Sequence, residues 1–266
     1  MVAYQGEVRL EHKGRGLGRF FKKALTGEGG WRLSTGMWQA ASSEGTRSMC
    51  DDVKQSRTLN TPASGEPLGF ELLDALLEER IQCPRQANQI DAKIRQAFER
   101  EVAVLILDMC GFSRLTARYG IIHCLCMVRQ MILGSIPAVE DNGGTVLKQE
   151  ADNLYAIFRT VEQALEAALD IFHAFTYMNG VLPEDRDIFG SVGTGFGPTL
   201  VLGCEDFFGE EVNRASKLGE DSASKMEILL TERAYNALPS GRYKFAHKLV
   251  KIEELEIQAF SFLRRG

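Results

Sequence analysis

The stretch Val104-Leu-Ile-Leu-Asp108-Met-Cys-Gly111-Phe-Ser-Arg-Leu115 decides the reading of this chain. Val102–Leu107 is a continuous apolar run of strand length, which predicts a strand buried on both faces. Asp108 follows it directly, then Gly111 and the opening of a helix. A carboxylate at a strand end suits a hard divalent cation. A glycine lets the backbone approach a ligand closely, and the amides that open a helix attract anions. An aspartate in this setting caps a helix more often than it catalyses, so the segment needs partners before it means chemistry.

Two partners follow downstream. Asn142-Gly143-Gly144 is a turn signal, and Thr145–Glu150 with Leu154–Phe158 read as a hairpin around Asp152. If that hairpin and the first strand are neighbours in one sheet, Asp108 and Asp152 can share two metal ions, as an in-line phosphoryl displacement requires. The third piece is Asp206-Phe-Phe-Gly209-Glu-Glu-Val-Asn213-Arg-Ala-Ser-Lys217-Leu218. Asn213 and Lys217 are four residues apart and share one helix face, presenting a hydrogen-bonding group and a cation.

Around these pieces the elements alternate. A long helix is predicted from about 113 to 139, with a break near Pro137, and another over Val161–Tyr177. A strand over Ile188–Thr194 leads into the glycine-rich Gly193-Thr-Gly-Phe-Gly-Pro198. A helix over Glu211–Gly219, a strand over Ile228–Thr231, a short helix over Glu232–Leu238 and a closing strand pair, Tyr243–Leu249 with Gln258–Leu263, complete the order. This succession predicts an α+β sandwich with a central, mostly antiparallel sheet flanked by helices.

The three segments, in this order and spacing, resemble the catalytic domain of class III adenylyl/guanylyl cyclases. The resemblance covers residues 101–265 and implies the ferredoxin-like, cyclase-type version of that sandwich. It implies roles for particular positions. Asp108 and Asp152 match the metal-binding aspartates, with the Met109 carbonyl as an extra ligand. The cofactors implied are two Mg²⁺ or Mn²⁺ ions per site. Gly111, Phe112 and Ser113 match the Gly-Phe-Ser/Thr that meets substrate. Lys148 and Asp206 match the pair that reads the base; a Lys donor and an Asp acceptor suit N1 and the 6-amino group of adenine, and so ATP, whereas guanine presents the reverse pattern. Asn213 matches the residue that orients the ribose, and Lys217 the one that stabilises charge on the transferred phosphate. The resemblance further implies a head-to-tail homodimer with sites completed across the interface, and production of 3′,5′-cyclic AMP. GTP as substrate, or a cyclase-like domain that binds nucleotide without turnover, are the alternatives.

Three departures stand out. Lys217 occupies the position where the family usually carries Arg, keeping the charge but losing the planar fork of donors. Ala151 stands where a glycine usually precedes the metal aspartate. The segment from Pro198 to Asp206 is shorter than the common pattern. Arg214 falls on a different helix face from Lys217. Lys248 and Lys251 are candidate triphosphate contacts, with a solvated basic strand as the ordinary reading.

The rest of the chain sets boundaries. Its 266 residues carry a formal net charge of −5, which gives no electrostatic case for nucleic acid as a partner. No apolar run in the sequence approaches the roughly 20 residues of a membrane span, and the N-terminus lacks the pattern of a signal peptide. Cys124-x-Cys126 is too isolated for a zinc site, so reduced thiols and a cytoplasmic location are expected. Residues 1–66 are low in complexity and predict a flexible segment. Within them, 17–25 could form a short basic helix of the kind that touches anionic membranes, although a solvated tail without membrane contact is expected. Residues 67–100 read as a helical lead-in, with apolar side chains at Leu68, Leu72, Leu73, Leu76, Leu77 and Ile81 and a stop at Pro84.

Overall fold

In the computed structural model, alternation along one long strand organises everything else. The structure describes residues 69–252 and 255–266; the segment 1–66, with its basic stretch 17–25, and Leu68 of the lead-in lie outside them. Strand β1 (Glu99–Met109) sits between β3 (Asn153–Phe158) and β4 (Gly190–Leu202) and is antiparallel to both. Residues 102–107 are almost completely buried, because each face of the strand is covered. Side chains of a strand alternate between faces. Val102, Val104 and Ile106 join one core cluster with Ile157, Val201, Val212 and Ala215. Asp108 continues that even-numbered series and so points to the same side.

The sheet runs β2 (Thr145–Glu150), β3, β1, β4, β6 (Ile228–Thr231), β8 (Leu255–Arg265), β7 (Tyr243–Ile252), with the short β5 (Asp206–Phe208) pairing with β4. Every pairing is antiparallel except β4 with β6. The fold class read from the sequence is therefore the one observed: α+β, with an open, mostly antiparallel sheet flanked by helices. Two lead-in helices, α1 (Phe70–Gln82) and α2 (Ala87–Phe98), pack Leu73, Ile90, Ile94 and Phe98 against Leu202 at the end of β4.

Helices α3 (Phe112–Tyr119) and α4 (Ile121–Asp141) occupy the region predicted as one helix. The break falls at Gly120 rather than near Pro137. Gly120 has φ +84°, a conformation that glycine adopts without steric cost, whereas Pro137 lies inside α4. Helix α4 also has the length and apolar composition of a membrane span, with a mean hydropathy of 1.5. The sequence reading, which looked for an unbroken apolar run, did not single it out. Its buried side, including Cys124, Met127, Val128 and Met131, packs on α5 (Val161–Val181) in this domain. Helix α5 starts at a capping box formed by Thr160 and Gln163.

The glycine-rich stretch forms the middle of β4, which runs on past the predicted end at Thr194. Helix α6 (Glu210–Asp221) lies directly on it. A Cβ at Gly193 would fall 1.9 Å from the Ala215 carbonyl oxygen, and one at Gly195 would fall 2.6 Å from that of Glu211. The missing side chains set how closely α6 approaches the sheet. Cys83, Cys110, Cys124 and Cys126 are free, whereas Cys204 is disulfide-bonded, which departs from the expectation of reduced thiols throughout.

Candidate active site

Asp108 ends β1 opposite Asn153 of β3 and Ser191 of β4. Asp152 occupies the turn between β2 and β3, and its carbonyl accepts a hydrogen bond from the Met109 amide at 3.3 Å. The two aspartates, 44 residues apart in sequence, thus meet at one corner of the sheet. Burial raises the Asp108 pKa to about 7, and the negative charges of Asp152, Glu220 and Asp221 add to it, while a hydrogen bond from Ser191 opposes them. Burial also raises the Asp152 pKa, against a hydrogen bond from its own amide. Two half-buried carboxylates that raise the cost of each other's ionisation need a compensating cation. Their hard oxygens fit Mg²⁺ or Mn²⁺. Among the described residues no group of three or more His, Cys, Asp or Glu forms a fuller ligand set, and a cation that keeps waters and takes substrate phosphates needs only one or two protein carboxylates.

Lys148 and Asp206 meet at 3.0 Å, brought together from β2 and β5. Burial works against the Lys148 ammonium, but hydrogen bonding to and charge from Asp206, then Glu150, outweigh it and hold the pKa above its ordinary value. Lys148 also lies 5.0 Å from the centre of the Tyr155 ring. Asp206 Oδ1 accepts from both Lys148 Nζ and the Phe207 amide.

Gly111 precedes α3 with φ +85°, and Phe112 and Ser113 open that helix. Asn213 is exposed and Lys217 half-buried on α6. Among the described residues, neither of these side chains bonds to Asp108, Asp152, Lys148 or Asp206. Instead α6 turns the carboxylates at its C-terminal end, Glu220 and Asp221, towards Asp108. Arg214 is occupied by Glu210 at 2.6 Å. Lys248 pairs with Glu227 at 3.2 Å and Lys251 with Glu256 at 2.6 Å.

Sequence reasoning missed Ser191, Glu220 and Glu211. Ser191 faces Asp108 only because β1 and β4 pair in that register. Glu211 is 1% exposed; its Oε2 accepts from the Phe196 amide at 3.2 Å and from the Thr231 hydroxyl at 2.6 Å. It ties the start of α6 to β4 and β6. An acidic residue in the first turn of a helix gave no sign of burial.

No protein-family model matches the sequence, and no curated protein matches it. Solved structures do. The adenylate/guanylate cyclase/hydrolase from Silicibacter pomeroyi is 26% identical, with a TM-score of 0.52, covering 62% of this chain and 97% of that one. The guanylate cyclase domain of RhGC from Catenaria anguillulae, solved with GTP, is 18% identical with a TM-score of 0.54, over 63% and 99%. The adenylyl cyclase CyaB from P. aeruginosa is 16% identical with a TM-score of 0.51, over 62% and 94%. This chain has the fold of the class III nucleotide cyclase catalytic domain. In that fold the β2–β3 hairpin carries a second departure into view. Ala151 has φ +51°, the left-handed region where an L-residue is strained and glycine is not.

Two expectations follow from this geometry. Replacing Ala151 with glycine should stabilise the fold by about 1 kcal/mol, read as a higher urea midpoint; an unchanged or lower midpoint contradicts the strain. Asp108 has a higher pKa folded than unfolded, so the folded state is penalised once the unfolded carboxyl ionises. In chelator, stability should fall as pH rises from about 4 to about 7 and then level off. Asp108→Asn should remove much of that slope and melt higher than the wild type above pH ~7, with the advantage fading towards pH ~4.

Proposed function

We propose that this protein is an adenylate cyclase, converting ATP to 3′,5′-cyclic AMP and pyrophosphate. The observation that carries the reading is the Lys148–Asp206 contact at 3.0 Å, on the same sheet as the Asp108–Asp152 corner. Lys148 has three donors and uses only some of them on Asp206 and Glu150. Asp206 spends Oδ1 on the protein, and among the described residues Oδ2 accepts no hydrogen bond. A free donor beside a free acceptor matches N1 and the 6-amino group of adenine. Guanine, with a donor at N1 and a carbonyl at C6, would set donor against donor and acceptor against acceptor.

Asp108, Asp152 and the Met109 carbonyl would hold two Mg²⁺ or Mn²⁺ ions. When bound, these ions would make the ribose 3′-hydroxyl more acidic and neutralise charge around the α-phosphate. The chain itself supplies orientation. Gly111, Phe112 and Ser113 present backbone to the phosphates, Asn213 holds the ribose, and Lys217 brings positive charge to the transferred phosphoryl group. Among the described residues, Asn213 and Lys217 make no hydrogen bond or ion pair with Asp108 or Asp152. This supports a head-to-tail homodimer in which each subunit contributes its α6 to the partner's aspartates. The substrate suits a cytoplasmic location.

Lys217 favours a second reading, a nucleotide-binding domain with weak or no turnover. Removing a transition-state donor elsewhere costs about 10²–10³ in rate, and lysine replaces only part of an arginine.

Purified protein given ATP and Mn²⁺ should form cyclic AMP, and Asp108→Ala or Asp152→Ala should abolish the activity without lowering the melting temperature. An active Asp108→Ala protein would remove the metal assignment. ATP should outcompete GTP in a mixed-substrate assay; equal use removes the base assignment. Lys217→Arg should raise kcat by about tenfold or more if lysine limits the rate, and leave it unchanged if catalysis does not depend on the fork.

A further inference from the structure

Lys148 has two carboxylates within reach. Glu150, 3.4 Å away, follows two residues later on β2, and its side chain is 69% exposed. Asp206, 3.0 Å away on β5, has a side chain only 18% exposed. A lysine is a point charge on a flexible stem, so two competing acids do not by themselves fix where the ammonium stands. Only at Asp206 does it form the donor–acceptor pair that suits adenine.

Tyr155 favours that position. It stands directly opposite Lys148 in the β2–β3 ladder, and side chains opposite each other in an antiparallel pair interact. The Lys148 ammonium lies 5.0 Å from the centre of the Tyr155 ring, within the range over which an aromatic face attracts a cation. The same ring meets Phe207 edge-on, with 6.1 Å between centres and 72° between planes, a favoured aromatic geometry. Phe207 is buried, and its amide donates to Asp206 Oδ1 at 2.8 Å. Tyr155 also packs against the core cluster of Ile106, Ile157, Phe207 and Val212, which holds the ring still. Its hydroxyl comes only within 3.4 Å of Glu220, long for an O–H···O bond. The ring, and not the hydroxyl, therefore touches both halves of the pair: Lys148 itself, and the residue that carries the amide bound to Asp206.

We infer that Tyr155 is a positioning residue for base recognition. Its ring keeps the Lys148 ammonium at Asp206 and, through Phe207, keeps Asp206 in place. This role rests on the proposed reading of adenine by Lys148 and Asp206.

Tyr155→Phe keeps the ring, whereas Tyr155→Leu removes it and leaves an apolar side chain for the core. Titration calorimetry with the magnesium complexes of 3′-deoxy-ATP and 3′-deoxy-GTP, which lack the attacking hydroxyl, compares the two bases on the full chain without turnover. Both affinities are taken on the same folded molecules, so a loss of stability alone does not move their ratio. Tyr155→Leu should lower the adenine-over-guanine ratio about fivefold, and Tyr155→Phe should retain the wild-type ratio. An unchanged ratio in Tyr155→Leu, or an equal loss in Tyr155→Phe, overturns the role of the ring. Lys148→Glu tests the reading beneath it. If Lys148→Glu moves the preference towards guanine and Tyr155→Leu does not, the base assignment stands and Tyr155 positions nothing. If Lys148→Glu leaves the ratio unchanged, the base assignment falls and the role of Tyr155 falls with it.

Discussion

The arrangement of this domain turns on the repulsion between two carboxylates held at one corner of a sheet. Asp108 and Asp152 are half-buried, and Glu220 and Asp221 add negative charge from the end of α6. Left to themselves these groups would separate or take up protons. The antiparallel pairing of β1 with β3 prevents separation, since the register that places Asp108 opposite Asn153 leaves the adjoining turn, and Asp152, nowhere else to go. The cost is carried by the rest of the fold, chiefly by the buried residues of β1 and the helices that cover both of its faces. Strained, charged arrangements of this kind concentrate where a ligand is to be received.

Helix α6 is the second device. Glycines in β4 allow it to lie almost on the strand backbone, and buried Glu211 anchors its first turn to β4 and β6. The helix therefore has little freedom to slide. Its C-terminal carboxylates lie near enough to Asp108 to raise its pKa, while among the described residues Asn213 and Lys217 make no bond to the aspartates. The proposed function uses this separation, since it calls for a second copy to bring Asn213 and Lys217 to Asp108 and Asp152.

Polar side chains in the site are held partly engaged. Lys148 and Asp206 hold each other, with one carboxylate oxygen and some ammonium capacity left over. Arg118 and Lys225, near Gly111, lie over aromatic rings, and among the described residues neither pairs with an acid. In both places the free protein keeps charged groups positioned without exhausting their bonding capacity, so ligand binding need not first break a complete network.

The sequence by itself determined the order and kind of the elements, because apolar spacing, turn residues and caps act over a few neighbours. It also marked Asp108, Asp152, Lys148, Asp206, Asn213 and Lys217, since each lies within a short motif. It misplaced the break between α3 and α4, because a proline was weighed above the glycine whose positive φ sets the turn. It ended the strand at Thr194, inside the glycine-rich stretch, although those glycines continue β4 and make room for α6. Only the tertiary structure decided that Ser191 and Glu220 bear on Asp108, that Glu211 is buried, that Ala151 is strained, and that Arg114, Arg118 and Lys225 share a cavity. Each of these depends on the register and closeness of segments distant in the chain, and such long-range contacts leave no mark on local periodicity.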